Sequence, residues 1–112
     1  MRNPDKLEEL SHELHKLREE YLKWKQMCDR YERGKHWKFA TIFQQIPPDG
    51  TIEVRKQKAY AHPQWQEYIE EWNHVDEMKM KAQVKFENVR NDYEAFQSAL
   101  SFDRETVKRL GG

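Results

Sequence analysis

Apolar residues follow a strict heptad spacing in the first part of the chain. Between residues 5 and 33 they recur at alternating intervals of three and four positions. Such spacing is the a/d pattern of a coiled coil and predicts a helix with one narrow apolar seam. Helical spacing continues through Phe39 and Ile46, so the first helix is expected from about 5 to 45, with Asn3 as its cap. The seam positions are Leu7, Leu10, Leu14, Leu17, Tyr21, Trp24, Cys28 and Tyr31.

The same register returns after Pro63 and predicts a second long helix at about 63–100. A separate C-terminal turn is expected at 101–110, capped by Ser101 or Asp103. Lys79 is the one charged seam residue, and it has two interpretations: a polar position that fixes register or oligomeric state, or a lysine reaching solvent while Met78 or Met80 fills the seam. The seam positions are Trp65, Tyr68, Trp72, Val75, Lys79, Ala82, Phe86, Val89, Tyr93, Phe96 and Leu100.

A bend at 46–62 separates the two helices. The segment "PPDG", residues 47–50, is expected to end the first helix, because proline removes donors and Asp-Gly favours a tight turn. Thr51 is then positioned to cap a short basic helix over 52–60, unless "TIEV" forms a brief extended segment. Gly34, inside the first helix, is expected only to weaken it.

These elements predict an all-α protein with a single domain, 1–112: a long antiparallel helical hairpin with coiled-coil-like seams and a short connecting helix. A two-helix hairpin leaves large seam side chains partly exposed, so we expect self-association into an oligomer through the seams. The residues expected in the core or the oligomer contact are Leu7, Leu10, Leu14, Leu17, Trp24, Trp65, Trp72, Phe86, Tyr93 and Phe96.

The composition sets limits on the class of protein. Apolar residues make up 37% and charged residues 36%, which leans toward disorder, but the net charge is zero and 14 residues are aromatic. The lone Cys28 cannot form an intramolecular disulfide, and no segment resembles a signal peptide or a membrane span. We therefore expect an ordered protein of a reducing cytoplasm.

The charge is unevenly distributed along this neutral chain. Residues 1–22 carry a net charge of −2 and residues 61–112 carry −3, whereas residues 23–60 hold nine Lys or Arg against four Asp or Glu. Cations interleaved with rings are typical of single-stranded nucleic acid binding, because cations contact phosphates and rings stack on bases. The predicted binding residues are Arg30, Arg33, Lys35, His36, Trp37, Lys38, Arg55, Lys56 and Lys58.

A purely structural interpretation of the same segment stays open. Phe39, Ile42, Phe43 and Ile46 have the spacing of a helix face that packs against the bend. The cations around them would then form only a solvated surface. Phe39, with His36 and Trp37, is nevertheless also a candidate for base stacking.

Enzyme chemistry finds little support in the sequence. His12 and His15 fall at outward heptad positions, where such a pair is usually solvated rather than metal-bound. Cys28 lies on the seam and is typical of a small core residue. No metal-ligand motif or phosphate-binding loop is present in the sequence. We therefore expect no catalytic site, no metal and no cofactor.

The basic stretch "RYERGKHWK", residues 30–38, precedes a Gly/Pro/Asp-containing bend, and "RKQKAYAHPQWQEYI", residues 55–69, opens a long helix. This arrangement resembles the UvsY-type recombination mediators of tailed phages over about residues 23–110. The chain departs from that family in its N-terminal leucine heptad and in Pro47–Pro48. The residues that would correspond to the family's DNA-contacting cations are Arg33, Lys35, Lys38, Arg55, Lys56 and Lys58.

The resemblance implies a non-catalytic, helical, ring-forming protein that binds single-stranded DNA and helps to load a RecA-like recombinase onto strands covered by single-strand-binding protein. We accordingly predict a phage accessory protein of DNA recombination or replication. The alternative is a coiled-coil adaptor or small inhibitor that docks a protein partner through its acidic and aromatic helices.

Overall fold

The computed structural model describes residues 4–110, which form three α-helices: α1, Pro4–Gln45; α2, Ile52–Tyr60; and α3, Pro63–Leu110. Within this range the chain has no strand, and the order of the helices is that of the predicted hairpin with its short connecting helix. The segment "TIEV" supplies the cap and first turn of α2 rather than an extended segment. The expected cap at Asn3 lies outside the described residues.

The separate turn expected at 101–110 is wrong, because α3 continues without a break to Leu110. Neither Ser101 nor Asp103 caps a new helix. No glycine or proline interrupts residues 101–110, and the Thr106 hydroxyl donates a hydrogen bond of 3.0 Å to the Phe102 carbonyl. The loss of heptad spacing after Leu100 therefore marks the end of the seam and not the end of the helix.

The chain packs as two compact units where a single domain was expected. We call residues 23–79 the bend unit and the described residues on either side of it, 4–22 and 80–110, the terminal unit. Both long helices contribute to each unit. No helix within residues 4–110 is long and apolar enough to cross a membrane.

In the terminal unit the predicted seam side chains are half-buried. Ala82 is buried, and the rings of Tyr21 and Phe86 stack with centroids 6.4 Å apart. The Arg90 guanidinium lies 5.7 Å from the centroid of the Phe86 ring. One partner helix thus covers only part of each seam side chain. The half-buried positions of the predicted set are Leu7, Leu10, Leu14, Leu17, Phe86, Tyr93 and Phe96.

The bend unit holds the densest packing. Ile42 and Ile46 from the end of α1 meet Ala59 of α2, and all three are buried. Partly buried rings of Phe39, Phe43 and Trp65 pack against this cluster. The predicted face of α1 therefore packs against the bend, as the structural interpretation of its spacing required. Trp24, Trp65 and Trp72 are half-buried.

Local hydrogen bonds fix the path of the bend. Gly50 has φ of 83°, a backbone conformation that favours glycine. The Thr51 hydroxyl then accepts a bond of 3.2 Å from the Val54 N–H and caps α2. At the start of α3, Nδ1 of His62 accepts a bond of 3.1 Å from the Gln64 N–H. Both helices that leave the bend are therefore capped by a side chain.

Lys79 lies half-buried on the α3 seam. Its Nζ atom is 3.2 Å from a carboxylate oxygen of Asp76, one turn earlier. Met78 beside it is half-buried, whereas Met80 is exposed. The lysine charge is thus balanced within its own helix, as suits a lysine at the edge of the seam.

We predict that Ile42→Ala destabilises the protein by about 2–5 kcal/mol, because the substitution leaves a cavity at a side chain with 0% exposure. The measurement is urea unfolding followed by circular dichroism. Ile52→Ala is the matched control, because Ile52 is 63% exposed, and it should change the free energy of unfolding by less than about 0.5 kcal/mol. Equal effects of the two substitutions would contradict the assignment of the core.

Candidate nucleic-acid interface

The nine predicted binding residues all belong to the bend unit, six on α1 and three on α2. The buried cluster of Ile42 and Ala59 packs the end of α1 against α2. The two segments that carry the predicted binding residues therefore lie in one compact unit. Half-buried members are Lys35, Lys38 and Arg55. Exposed members are Arg30, Arg33, His36, Trp37, Lys56 and Lys58.

No carboxylate of residues 4–110 forms a salt bridge with the cations among these residues. Salt bridges within residues 4–110 include those of Lys6 with Glu9, His15 with Glu19 and Lys79 with Asp76, and none of these reaches the predicted binding set. The Arg33 Nε donates only to the Asp29 carbonyl of its own helix, at 3.3 Å. Phosphate oxygens would therefore not have to displace an existing ion pair, which favours anion binding at this surface.

Two of the predicted cations already have a packing role. The Arg55 guanidinium carbon lies 4.5 Å from the centroid of the Phe43 ring, and its Nε is buried without a hydrogen-bond partner. Lys35 Nζ lies 5.9 Å from the centroid of the Trp72 ring. Both are cation–π contacts, which hold α2 and α3 against α1. Arg55 and Lys35 are accordingly less accessible to a ligand than Arg30, Lys56 and Lys58.

The aromatic candidates differ sharply in accessibility. Trp37 is 72% exposed, whereas Phe39 is partly buried against the core, with its ring centroid 4.6 Å from that of Tyr60 and 5.4 Å from that of Trp65. His36 is exposed. Trp37 is thus the ring that a base could reach, and Phe39 serves the packing of the bend.

Gly34 has a tertiary role that its sequence context did not reveal. The Tyr68 hydroxyl of α3 donates a hydrogen bond to the Tyr31 carbonyl of α1, and a Cβ atom on Gly34 would lie 3.3 Å from that hydroxyl. The Tyr31 hydroxyl in turn donates to the Glu71 carboxylate at 3.1 Å. Glycine therefore permits the close approach of a tyrosine to the backbone of α1.

The missing side chain leaves an open pocket of about 380 Å³ beside α1. Among residues 4–110, the charged side chains that line it are Arg30 and Lys38, four positions before and after Gly34. Tyr31 and Tyr68 were missed as lining residues because their heptad positions assign them to helix packing, and Met27 was missed because it lies beside the seam and carries no charge or ring. The full lining is Met27, Arg30, Tyr31, Gly34, Trp37, Lys38 and Tyr68.

A second pocket, of about 230 Å³, shares Lys38 and Tyr68 but is also lined by Glu67 and Glu71. Lys38 therefore separates a cationic pocket at Gly34 from an acidic one along α3. An anionic ligand is favoured only on the Gly34 side.

Burial raises the pKa of the Tyr68 hydroxyl, and burial, followed by the hydrogen bond to Glu71, raises the pKa of the Tyr31 hydroxyl. Both phenols are therefore protonated at neutral pH and add no negative charge to the pocket. Burial also raises the pKa of the Cys28 thiol, the opposite of what an activated nucleophile needs. Among residues 4–110, no three His, Cys, Asp or Glu residues are grouped to hold a metal ion.

No protein-family model, curated protein or solved structure matches this chain.

We predict that Tyr68→Phe lowers the free energy of unfolding by about 1 kcal/mol, because it removes the hydrogen bond to the Tyr31 carbonyl. Gly34→Ala should stabilise that variant by about 1 kcal/mol through helix propensity but stabilise the wild type less, since the new Cβ meets the hydroxyl. Urea unfolding of the double-mutant cycle measures this coupling. Tyr93→Phe is the control and should have little effect; an equal gain from Gly34→Ala in both backgrounds would contradict the contact.

The raised tyrosine pKa values predict a loss of stability in alkali. The folded state holds the protons of Tyr31 and Tyr68 more tightly than the unfolded state does. Their contribution to the free energy of unfolding is therefore complete below the unfolded pKa near 10, and it is lost as the pH rises through the folded pKa values. The double variant Tyr31→Phe, Tyr68→Phe should therefore lose less stability between about pH 9 and pH 11. Urea midpoints across this range test the expectation, and equal pH dependence of the wild type and the double variant would contradict it.

Proposed function

We propose that this protein binds single-stranded nucleic acid through the bend unit. The observation that carries the proposal is Trp37, an exposed ring on α1 that shares the wall of a pocket with the unpaired cations Arg30 and Lys38. The combination meets both physical requirements for binding a flexible polyanion without reading its sequence.

The electrostatic contribution to strand binding would come from the uneven distribution of charge along the chain. Nine cations against four carboxylates between residues 23 and 60 give this segment a net charge of +5 in a neutral chain. Each phosphate that such cations neutralise releases condensed counterions, which makes binding strong at low salt and weak at high salt. Since every cation of the predicted set lacks a carboxylate partner within the described range, accessibility and position decide which of them contribute. Arg30 and Lys56 are exposed, and the half-buried Lys38 lines the pocket beside Trp37, so these three are well placed to contact a strand.

The contribution of base stacking on Trp37 would favour a single strand over a duplex. A base stacked on an accessible ring contributes about 1–3 kcal/mol, and every base offers such a face. In a duplex those faces are covered by neighbouring base pairs. Trp37 can therefore stack on a base only where the strand is unpaired.

The resemblance to the UvsY-type mediators extends this proposal to a role in phage DNA recombination or replication, with single-stranded DNA as the ligand. In that role, the protein partners would be a RecA-like recombinase and single-strand-binding protein. We further propose that the half-buried seams of the helices support self-association. Several bends would then bind one strand multivalently, which raises avidity without a new kind of contact.

An adaptor that docks a protein partner is the second candidate. The observation that favours it is the exposure of apolar side chains at the start of α2, where Ile52 is 63% and Val54 is 43% exposed. In that case the cations of the bend would only solvate the surface. The two functions differ in whether the chain binds oligonucleotides at all.

We predict that the triple variant Arg30→Glu, Lys38→Glu, Lys56→Glu strongly weakens binding of a labelled single-stranded 30-mer, as measured by fluorescence anisotropy at low salt. For the wild type, log Kd should rise with log salt concentration, and loss of three phosphate contacts should reduce that slope by about 2. Lys35 and Arg55 are left intact because they pack on Trp72 and Phe43. Helical content should be unchanged.

The matched control is Lys16→Glu, Lys85→Glu, Lys108→Glu, which changes the net charge equally but at exposed positions of the terminal unit. It should bind nearly as the wild type does. Equal loss in both triples would show a dependence on net charge rather than on the bend. No binding by the wild type would reject the nucleic-acid function and leave the adaptor.

A further inference from the structure

We propose that the pocket at Gly34 holds one base of the bound strand, with the phosphates on either side of that nucleotide held by Arg30 and Lys38. The proposal rests on the single-strand-binding function and assigns a specific ligand group, a nucleobase, to a specific place in the bend unit. It goes beyond stacking on the exposed Trp37 ring, because the base would also contact Tyr31 and Tyr68 on the far side of an open pocket.

The shape of the pocket results from the absence of a side chain on Gly34. Its volume of about 380 Å³ lies at the lower end of the range typical of small-molecule sites. The rings of Tyr31 and Tyr68 bound it on one side, with centroids 5.1 Å apart, and Trp37 lies on the same helix one turn after Gly34. Flat apolar walls of this kind suit a flat ligand.

The polar groups of the pocket argue against recognition of a particular base. The Tyr68 hydroxyl is bonded to the Tyr31 carbonyl, and the Tyr31 hydroxyl is bonded to Glu71. Neither phenol is free to donate to a base edge. A base would therefore be held by stacking and van der Waals contact, and any of the four bases should be accepted.

Arg30 and Lys38 indicate that the base should carry an anionic group on either side. Arg30 and Lys38 are eight residues apart on α1, about 12 Å along the helix axis, with Gly34 midway between them. No carboxylate lines this pocket. A flat group flanked by two anions fits this arrangement, and a nucleotide within a strand has that chemistry.

The test compares two labelled 12-mers in fluorescence anisotropy: oligo-dT and an abasic strand with the same phosphates. The wild type should bind oligo-dT at least tenfold more tightly. Gly34→Leu, which fills the pocket, should remove that preference while the slope of log Kd against log salt stays unchanged, since Arg30 and Lys38 are retained. Ala40→Leu, at an exposed position of the same helix, is the matched control and should retain the preference.

A second measurement does not depend on the folding of a variant. A strand carrying 5-iodouracil, irradiated with the wild-type protein, should cross-link to Tyr31 or Tyr68; a cross-link to Trp37 alone would indicate stacking on the exposed ring and would overturn the proposal. Cross-links confined to residues outside the pocket would overturn the proposal, and so would a folded Gly34→Leu variant that keeps the preference for oligo-dT.

The remaining outcomes separate this proposal from the function on which it rests. Equal binding of oligo-dT and the abasic strand by the wild type would overturn the base pocket and leave single-strand binding by charge alone. No binding of either strand at low salt would overturn both.

Discussion

Ile42 is the large side chain that the described chain removes completely from solvent, and the bend is built around it. Its contact with Ala59 brings α2 back onto the end of α1, and the rings of Phe39 and Trp65 close over the contact. Two helices alone would bury only a narrow seam, as the half-buried leucines near the N-terminus show. The third helix widens the packing at this one place. Everything proposed for the bend depends on that local core.

The same packing explains why the cations of the bend are not equivalent. Arg55 packs on the Phe43 ring and Lys35 packs on the Trp72 ring. These cation–π contacts stabilise the packing of α2 and α3 against α1. The cations that stay accessible are those whose positions on the helices point away from the core. A segment with a net charge of +5 thus provides both structural cations and cations available to a ligand. Sequence alone does not distinguish the two groups, because both have the same residue types and similar spacing.

Most of the helical architecture follows from periodicity and capping. The heptad intervals predict where the long helices run and which side chains are partly buried, and Thr51 marks the start of α2. The prediction is wrong after Leu100, because the apolar seam ends there while the helix continues to Leu110. The division into two units was not foreseen either, since it depends on contact density rather than on local pattern. Self-association, which the thin seams favour, is still a prediction.

The pocket at Gly34 could not be predicted from the sequence. Charge and rings point to the segment around Trp37, but the pocket beside it exists because Tyr68, 34 residues further along the chain than Gly34, sends its hydroxyl to the Tyr31 carbonyl. A glycine inside a helix has a cost in helix propensity wherever it occurs, and its sequence gives no indication of what approaches it. Here the approaching group is a phenol, and the space left beside it is lined by rings and cations. Gly34, which by propensity alone only weakens α1, therefore lies both where Tyr68 contacts the backbone of α1 and in the wall of the pocket lined by Arg30 and Lys38.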